Sequence, residues 1–158
     1  MASAPQPDPT PRIRRLSRAD LADVTRIDAH HTGLRKPAYW KRVLGEFLAR
    51  RGERERVGLA AEVEGRLVGY LLGEVRAFEF GSEPCGWVFA VGVDPARLRR
   101  GLAAALLDEA CRAFRARGVF TVRTMVRRND VPVLAFFRAA GFSGGSYVQL
   151  ELDLSGNG

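Results

Sequence analysis

Residues 91–110 have the sequence VGVDPARLRRGLAAALLDEA, and this stretch decides the fold. Its apolar start predicts a buried strand that Pro95 ends, and its alanine-rich second half predicts an amphipathic helix that begins near Gly101. The turn between them carries three arginines. Helix starts leave main-chain N–H groups unpaired and carry partial positive charge, so they bind anions. The stretch therefore predicts a strand, a turn and a helix that hold the pyrophosphate of a nucleotide-like ligand.

Strands and helices are predicted on both sides of this unit. Their order is strand, two helices, three strands, helix, strand, helix, strand, which indicates an α/β or α+β domain with a mixed sheet. Upstream, we expect strands at 12–16, 57–63 and 67–75 and helices at 17–31 and 39–52. Downstream, we expect a strand at 119–126, a helix capped by Asp130 and a last strand at about 147–154.

Length and composition predict a single globular domain. The chain has 158 residues, of which 46% are hydrophobic, enough for one core. Residues 1–11 are rich in proline and predict a disordered tail, so the domain is expected to cover 12–158. No apolar run approaches the roughly 20 residues of a membrane span. We therefore expect a cytoplasmic protein that does not associate with a membrane. The two cysteines lack the spacing of metal ligands, and no metal is expected.

The net charge of +7 raises the alternative of a nucleic-acid partner. Only two of the 25 basic residues are lysines, and the arginines are spread along the chain with carboxylates between them. No pattern of stacking aromatic residues and basic strands accompanies them. A small polyanionic ligand is therefore favoured, and nucleic acid is not expected to be a dedicated partner.

The strand Val91-Gly92-Val93-Asp94-Pro95, the Gly101 turn and the alanine-rich helix together resemble the acetyl-CoA-binding motif of the GNAT superfamily of N-acetyltransferases. The resemblance implies a single-domain α+β fold with a mixed, mostly antiparallel sheet, splayed between its fourth and fifth strands, and helices on both faces. It also implies direct transfer of an acetyl group from acetyl-CoA to a primary amine in a ternary complex. The residues that it assigns to acetyl-CoA are Val91, Gly92, Val93, Leu98, Arg99, Arg100, Gly101, Leu102, Ala103, Asn129, Asp130, Phe136 and Phe137.

The sequence departs from the family pattern at side chains that assist catalysis. Leu98 stands where an arginine or glutamine is usual, and Trp87 where some members have a glutamate. Phe137 replaces a tyrosine that protonates the leaving thiolate in many members. A non-catalytic CoA-binding or regulatory module is therefore the alternative function.

The remaining site residues are predicted from loops and helix ends. Glu83 and Glu79 are the candidate general bases, since an ammonium must lose a proton before it can attack a thioester. The acceptor amine is assigned to His30, His31, Tyr39 and Phe80. Whether the protein forms a homodimer is left open.

Overall fold

A computed structural model describes residues 9–49, 55–77 and 79–156. The chain divides into two compact units, Met1–Met125 and Val126–Gly158. Of the predicted tail, residues 1–8 lie outside the described part, and the first regular element begins at Arg12.

The first unit contains five strands and three α-helices among its described residues. Three single-turn 3₁₀ helices accompany them, at Arg18–Asp20, Glu79–Gly81 and Pro95–Arg97. In chain order the main elements are β1 (Arg12–Arg15), α1 (Leu21–Thr32), α2 (Pro37–Phe47), β2 (Arg56–Val63), β3 (Arg66–Arg76), β4 (Cys85–Val93), α3 (Leu102–Arg115) and β5 (Val122–Thr124).

The five strands form one mixed sheet in the order β1-β2-β3-β4-β5. The first four pair antiparallel with their neighbours, and β5 pairs with β4 in parallel over three residues, with Gly86 facing Val122 and Val88 facing Thr124. The parallel pair follows from the connection, because α3 crosses between the two strands. The predicted mixed, mostly antiparallel α+β fold is confirmed.

Helices cover both faces of this sheet. Tyr70 of β3 points to the face where α1 and α2 pack, and its ring lies 5.6 Å from the ring of Trp40 in α2. Neighbouring residues of a strand point to opposite faces. Gly69 accordingly faces α3, where an added Cβ would lie 3.2 Å from Leu106. Phe114 of α3 is fully buried on that same side.

The second unit contains α4 (Val131–Ala139) and a long segment without regular structure. The Asp130 side chain caps α4 by accepting the Val133 N–H at 3.4 Å, as predicted. The ring of Phe137 packs 5.0 Å from both Phe136 and Phe142.

The strand predicted at about 147–154 is wrong. None of these residues is in a ladder, and the apolar side chains Val148, Leu150, Leu152 and Leu154 are 81–88% exposed. A strand is defined by pairing with a neighbour, and alternation of apolar residues supplies a suitable face but no partner.

Among the described residues, no helix combines the length and the apolar character needed to cross a membrane.

Candidate functional site

The turn between β4 and α3 has a backbone suited to binding anions. Arg99 and Gly101 both adopt left-handed conformations, with φ of 63° and 73°. The first hydrogen bond of α3 runs from Ala105 N–H to Gly101 O at 2.9 Å, so the N–H groups of the first helical turn have no acceptor within the helix. Backbone that alternates hand in this way forms concavities that bind anions. This turn can therefore receive a phosphate through its main chain.

Space for a ligand is present beside Gly101. A Cβ added to Gly101 would meet no atom within 4 Å, so its positive φ is what requires glycine. Leu98 is 50% exposed, and Leu102 is buried as the first residue of α3. The turn thus presents its main chain to solvent while Leu102 anchors it to the core.

The C-terminal half of β4 has one edge that no described strand covers. Asp94 N–H donates to Val68 O at 2.8 Å, and the hydrogen-bonded pairs of an antiparallel ladder alternate. Val91 and Val93, facing Leu71 and Gly69, therefore point their N–H and C=O groups away from β3. On that side β5 pairs only as far as Val88.

A β-bulge explains where β4 leaves β5. Leu72 faces Ala90 and Gly73 faces Val88, so Phe89 is an extra residue in β4. Bulges bend a strand and increase its twist. Thr124 closes the paired part with a 2.9 Å hydrogen bond from its Oγ1 to Val88 O. Pairing between β4 and β5 therefore ends just before the bulge, and no described strand pairs with this edge of β4 from Phe89 onward.

Two contacts hold α1 against the end of β4. His31 Nε2 lies 2.7 Å from Val93 O, and Arg26 Nη1 donates to Asp94 Oδ2 at 2.8 Å. Burial alone would raise the pKa of Asp94, but hydrogen bonds from Arg26 and from the Ala96 N–H hold that pKa below its usual value. His31 contacts the Val93 carbonyl, which leaves Val91 as the other residue of this edge that directs its N–H and C=O groups away from β3.

Tyr70 lies directly against the same part of β4. It pairs with Gly92, and a Cβ on Gly92 would come 2.9 Å from the Tyr70 hydroxyl oxygen and closer to its ring. Only glycine leaves room for the tyrosine there. Sequence reasoning missed Tyr70, because nothing in the order of residues shows which side chain a strand glycine accommodates.

The structure separates the predicted acceptor and base residues into two groups. His30 and His31 lie on α1, and Tyr39 lies on α2. His30 is exposed. Phe80 and Glu83 precede β4 and are exposed. Val91 lies eight positions after Glu83, which is about 26 Å along an extended chain. The backbone of Glu79 lies in the same connection, and the assignment of Glu79 and Glu83 as general bases remains a prediction from the sequence.

Asn129, Asp130, Phe136 and Phe137 belong to the second unit. Their assignment to acetyl-CoA remains a prediction from the sequence. Among the described residues, no group of three or more His, Cys, Asp or Glu side chains could hold a metal ion. Burial and then the nearby Asp108 raise the pKa of the Cys111 thiol, which disfavours the thiolate that a nucleophile requires.

Comparison with known proteins gives a family match over most of the chain. A model of the Acetyltransferase (GNAT) family matches residues 21–142. A mycothiol acetyltransferase of Saccharomonospora viridis is 38% identical over 87 residues, which are 53% of this chain and 28% of that protein. One from Clavibacter michiganensis subsp. michiganensis is 36% identical over 84 residues, 53% of this chain and 26% of that protein. The chain thus spans less than a third of the length of these curated relatives.

Solved structures match nearly the whole chain. Aminoglycoside N-acetyltransferase AAC(6')-Iy in complex with CoA has a TM-score of 0.80 at 15% identity, with 96% of this chain and 99% of that chain covered. A ribosomal-protein-alanine N-acetyltransferase from Brucella melitensis biovar Abortus 2308 has a TM-score of 0.73 at 17% identity, with coverage of 92% and 100%. At such identities the similarity is one of fold.

Proposed function

The chain belongs to the acetyltransferase (GNAT) family, and on that premise we propose that it transfers an acetyl group from acetyl-CoA to a primary amine. The observation that carries this proposal is that β5 pairs with β4 only as far as Val88. It leaves an uncovered strand edge followed, within one turn, by an anion-binding helix start. Acetyl-CoA has groups that suit both parts of this site. Its pantetheine arm contains amides that can pair with a strand edge, and its pyrophosphate can bind at a helix start. The arm binds along Val91 to Val93, and the pyrophosphate binds at 98–103.

The reaction is a direct transfer within a ternary complex. The acceptor ammonium first loses a proton, and its nitrogen lone pair attacks the thioester carbonyl carbon. A C–N bond forms, the C–S bond breaks with its electron pair leaving on sulfur, the nitrogen gives up a second proton to become the amide nitrogen, and the thiolate takes up one proton. The products are an amide and CoA, with one proton released to solvent. In this proposal the N–H of Val91 donates to the thioester oxygen, where negative charge develops.

Proton transfer in this scheme uses few protein side chains. Phe137 has no hydroxyl to donate, and a thiol with a pKa of about 8.5 leaves as thiolate without a dedicated acid. Glu83 and Glu79 stay predictions as bases, and the placement of Glu83 near the start of β4 weakens its case. Water is the proposed proton acceptor. Alignment of the two reactants by β4 and the helix start then supplies most of the rate enhancement.

The acceptor is proposed only as a primary amine. The relatives above are named for mycothiol, aminoglycoside and ribosomal-protein alanine acetylation, and these differ widely in chemistry. A single catalytic domain over 12–158 and a cytoplasmic location also remain predictions from the sequence.

The experiment removes one N–H from the open edge. In Val91→Pro the lost N–H points away from β3, so the ladder keeps its hydrogen bonds, and Val91→Ala is the control that keeps the N–H. We expect Val91→Pro to weaken acetyl-CoA binding about fivefold or more, the effect of one hydrogen bond of about 1 kcal/mol. Binding is measured by calorimetry, and folding by circular dichroism.

Activity is measured separately as thiol released from acetyl-CoA with a panel of primary amines. Release with at least one amine supports the enzyme. If acetyl-CoA binds and no amine releases thiol, the alternative of a non-catalytic CoA-binding module replaces it. If acetyl-CoA does not bind the wild-type chain, both are wrong.

A further inference from the structure

A lysine ammonium occupies a carboxylate and aromatic site beside β4. Lys36 Nζ lies 3.1 Å from Asp28 Oδ2 and 5.4 Å from the centre of the Tyr39 ring. The Asp28 side chain is 12% exposed and that of Lys36 is 32% exposed. A carboxylate and an aromatic face are the two groups that proteins use to bind alkylammonium ions.

Two buried polar atoms, one of Asp28 and one of Trp40, have no hydrogen-bond partner in the described chain. Asp28 Oδ2 is buried and accepts no hydrogen bond, since the Lys36 contact lacks hydrogen-bond geometry. Trp40 Nε1 is buried and donates none. A buried carboxylate oxygen without a donor is costly. Asp28 therefore retains capacity for a better-placed donor than Lys36 provides.

The same residues reach the uncovered half of β4. The Trp40 ring packs edge-on 5.3 Å from Tyr39 and 5.6 Å from Tyr70. Tyr70 in turn lies against Gly92, next to Val91. Burial, and then the Asp28 carboxylate and Tyr39, raise the pKa of Tyr70, which keeps its hydroxyl neutral. A path of contacts thus runs from Asp28 to the strand edge assigned to the thioester.

We propose that Asp28 and Tyr39, backed by the buried rings of Trp40 and Tyr70, form an ammonium cage that binds the cationic end of the acceptor, and that Lys36 fills this cage in the free protein. The ligand class is a primary alkylammonium whose chain lies against the aromatic rings. Lys36 has a four-carbon stem, so n-butylammonium is the free ligand that matches its side chain. The role of the cage in catalysis rests on the proposed acetyl transfer, whereas binding of the amine does not.

The two sides of the cage predict effects of opposite sign. Removing Lys36 removes an internal competitor and should tighten amine binding about fivefold, as expected for loss of a partly exposed ion pair. Removing the charge of Asp28 should weaken binding about tenfold, because a charge-assisted bond is lost. Lys41 is the matched control, since it is the only other lysine, lies on α2 and is exposed.

The probe is n-butylamine, with n-butanol as the uncharged ligand of similar length. A Trp87→Phe background leaves Trp40 as the only tryptophan, so its fluorescence reports on the cage. We expect n-butylamine to bind Lys36→Ala about fivefold tighter than it binds Lys41→Ala or the parent, and n-butanol to show no such difference. Adding Asp28→Asn to Lys36→Ala should abolish the gain. Equal binding by Lys36→Ala and Lys41→Ala, or no effect of Asp28→Asn, overturns the proposal.

Thiol release from acetyl-CoA with n-butylamine and the amine panel separates this proposal from the proposed function. If the cage variants bind as expected and no amine releases thiol, acetyl transfer fails and the cage remains an amine-binding site. If amines release thiol with the same KM in the parent, Lys36→Ala and Asp28→Asn, the cage fails and acetyl transfer remains.

Discussion

Two glycines with opposite backbone conformations give a matched test at the scale of single residues. Gly101 has a φ of +73°, whereas Gly45 lies inside α2, and an added Cβ would meet nothing within 4 Å at either position. Gly101→Ala should therefore destabilise the protein by about 1 kcal/mol through left-handed strain alone. Gly45→Ala should stabilise it by up to about 1 kcal/mol, because alanine favours a helix.

Urea unfolding measures both changes. Acetyl-CoA binding adds a second readout, since Gly101→Ala alters the turn proposed to bind the pyrophosphate and Gly45→Ala does not. If the two variants shift the unfolding midpoint in the same direction, the conformation assigned to Gly101 is wrong.

Gly101 and Asp28 show which site residues a sequence can and cannot predict. Gly101 was predicted from its place between a strand and a helix, because a local pattern determines a helix start. Asp28 was not singled out, since its position within α1 is that of an ordinary polar residue of an amphipathic helix. The role proposed for it comes from its ion pair with Lys36, just before α2, and from its electrostatic effect on Tyr70 of β3, and such interactions depend on the packing of helices on the sheet.

At the scale of elements, the junction of β1 and α1 depends on one buried carboxylate. Asp20 accepts hydrogen bonds from both terminal nitrogens of Arg14, at 2.8 and 2.9 Å, and from the Ser17 N–H at 2.7 Å. Burial alone would raise the pKa of Asp20, but these bonds outweigh it and hold the pKa below its usual value of 3.8. Asp20 therefore stabilises the fold while it is ionised.

Asp20→Asn should lower the free energy of unfolding at pH 7 by about 1–3 kcal/mol, because charge-assisted bonds are lost. Since the folded pKa is depressed, the contribution of Asp20 is present above pH 3.8 and is lost as the pH falls through the folded pKa. The difference between wild type and Asp20→Asn should therefore shrink below about pH 4. Urea unfolding from pH 3 to 7 checks this, with exposed Asp108→Asn as control; a constant difference would contradict it.

Local sequence patterns predicted most helices and strands. They failed where pairing with a neighbouring strand determines the bounds of a strand. The β2–β3 turn at Glu64 and Gly65 was predicted, and both residues have positive φ as a tight hairpin requires. The fifth strand was predicted at 119–126 but covers Val122–Thr124. Val119 instead completes the end of α3, with its N–H bonded to Phe114 O at 3.1 Å after left-handed Gly118. A β-rich sequence cannot show which of its residues a helix cap will take.

At the scale of the whole molecule, the two faces of β3 carry side chains of different size. Gly69 and Gly73 of β3 admit Leu106 and Phe114 of α3, and Tyr70 between them reaches toward α2. Helices on both faces thus require small residues on one side of β3 and a large aromatic residue on the other. The predicted architecture could be recognised from the order of elements, whereas this division between the faces could not.

The exposed apolar residues of 147–154 bear on whether the protein forms a homodimer. Val148, Leu150, Leu152 and Leu154 recur at every second position and are 81–88% exposed, so in extended chain they share one side. Apolar surface of this kind favours association. A two-fold axis lets the segment pair with itself in antiparallel fashion, so that each copy covers the other. We therefore expect a concentration-dependent dimer in sedimentation velocity. Leu150→Asp with Leu152→Asp should yield monomer, whereas Gln149→Asp on the opposite side should not; a wild type that is monomeric at every concentration would refute the dimer.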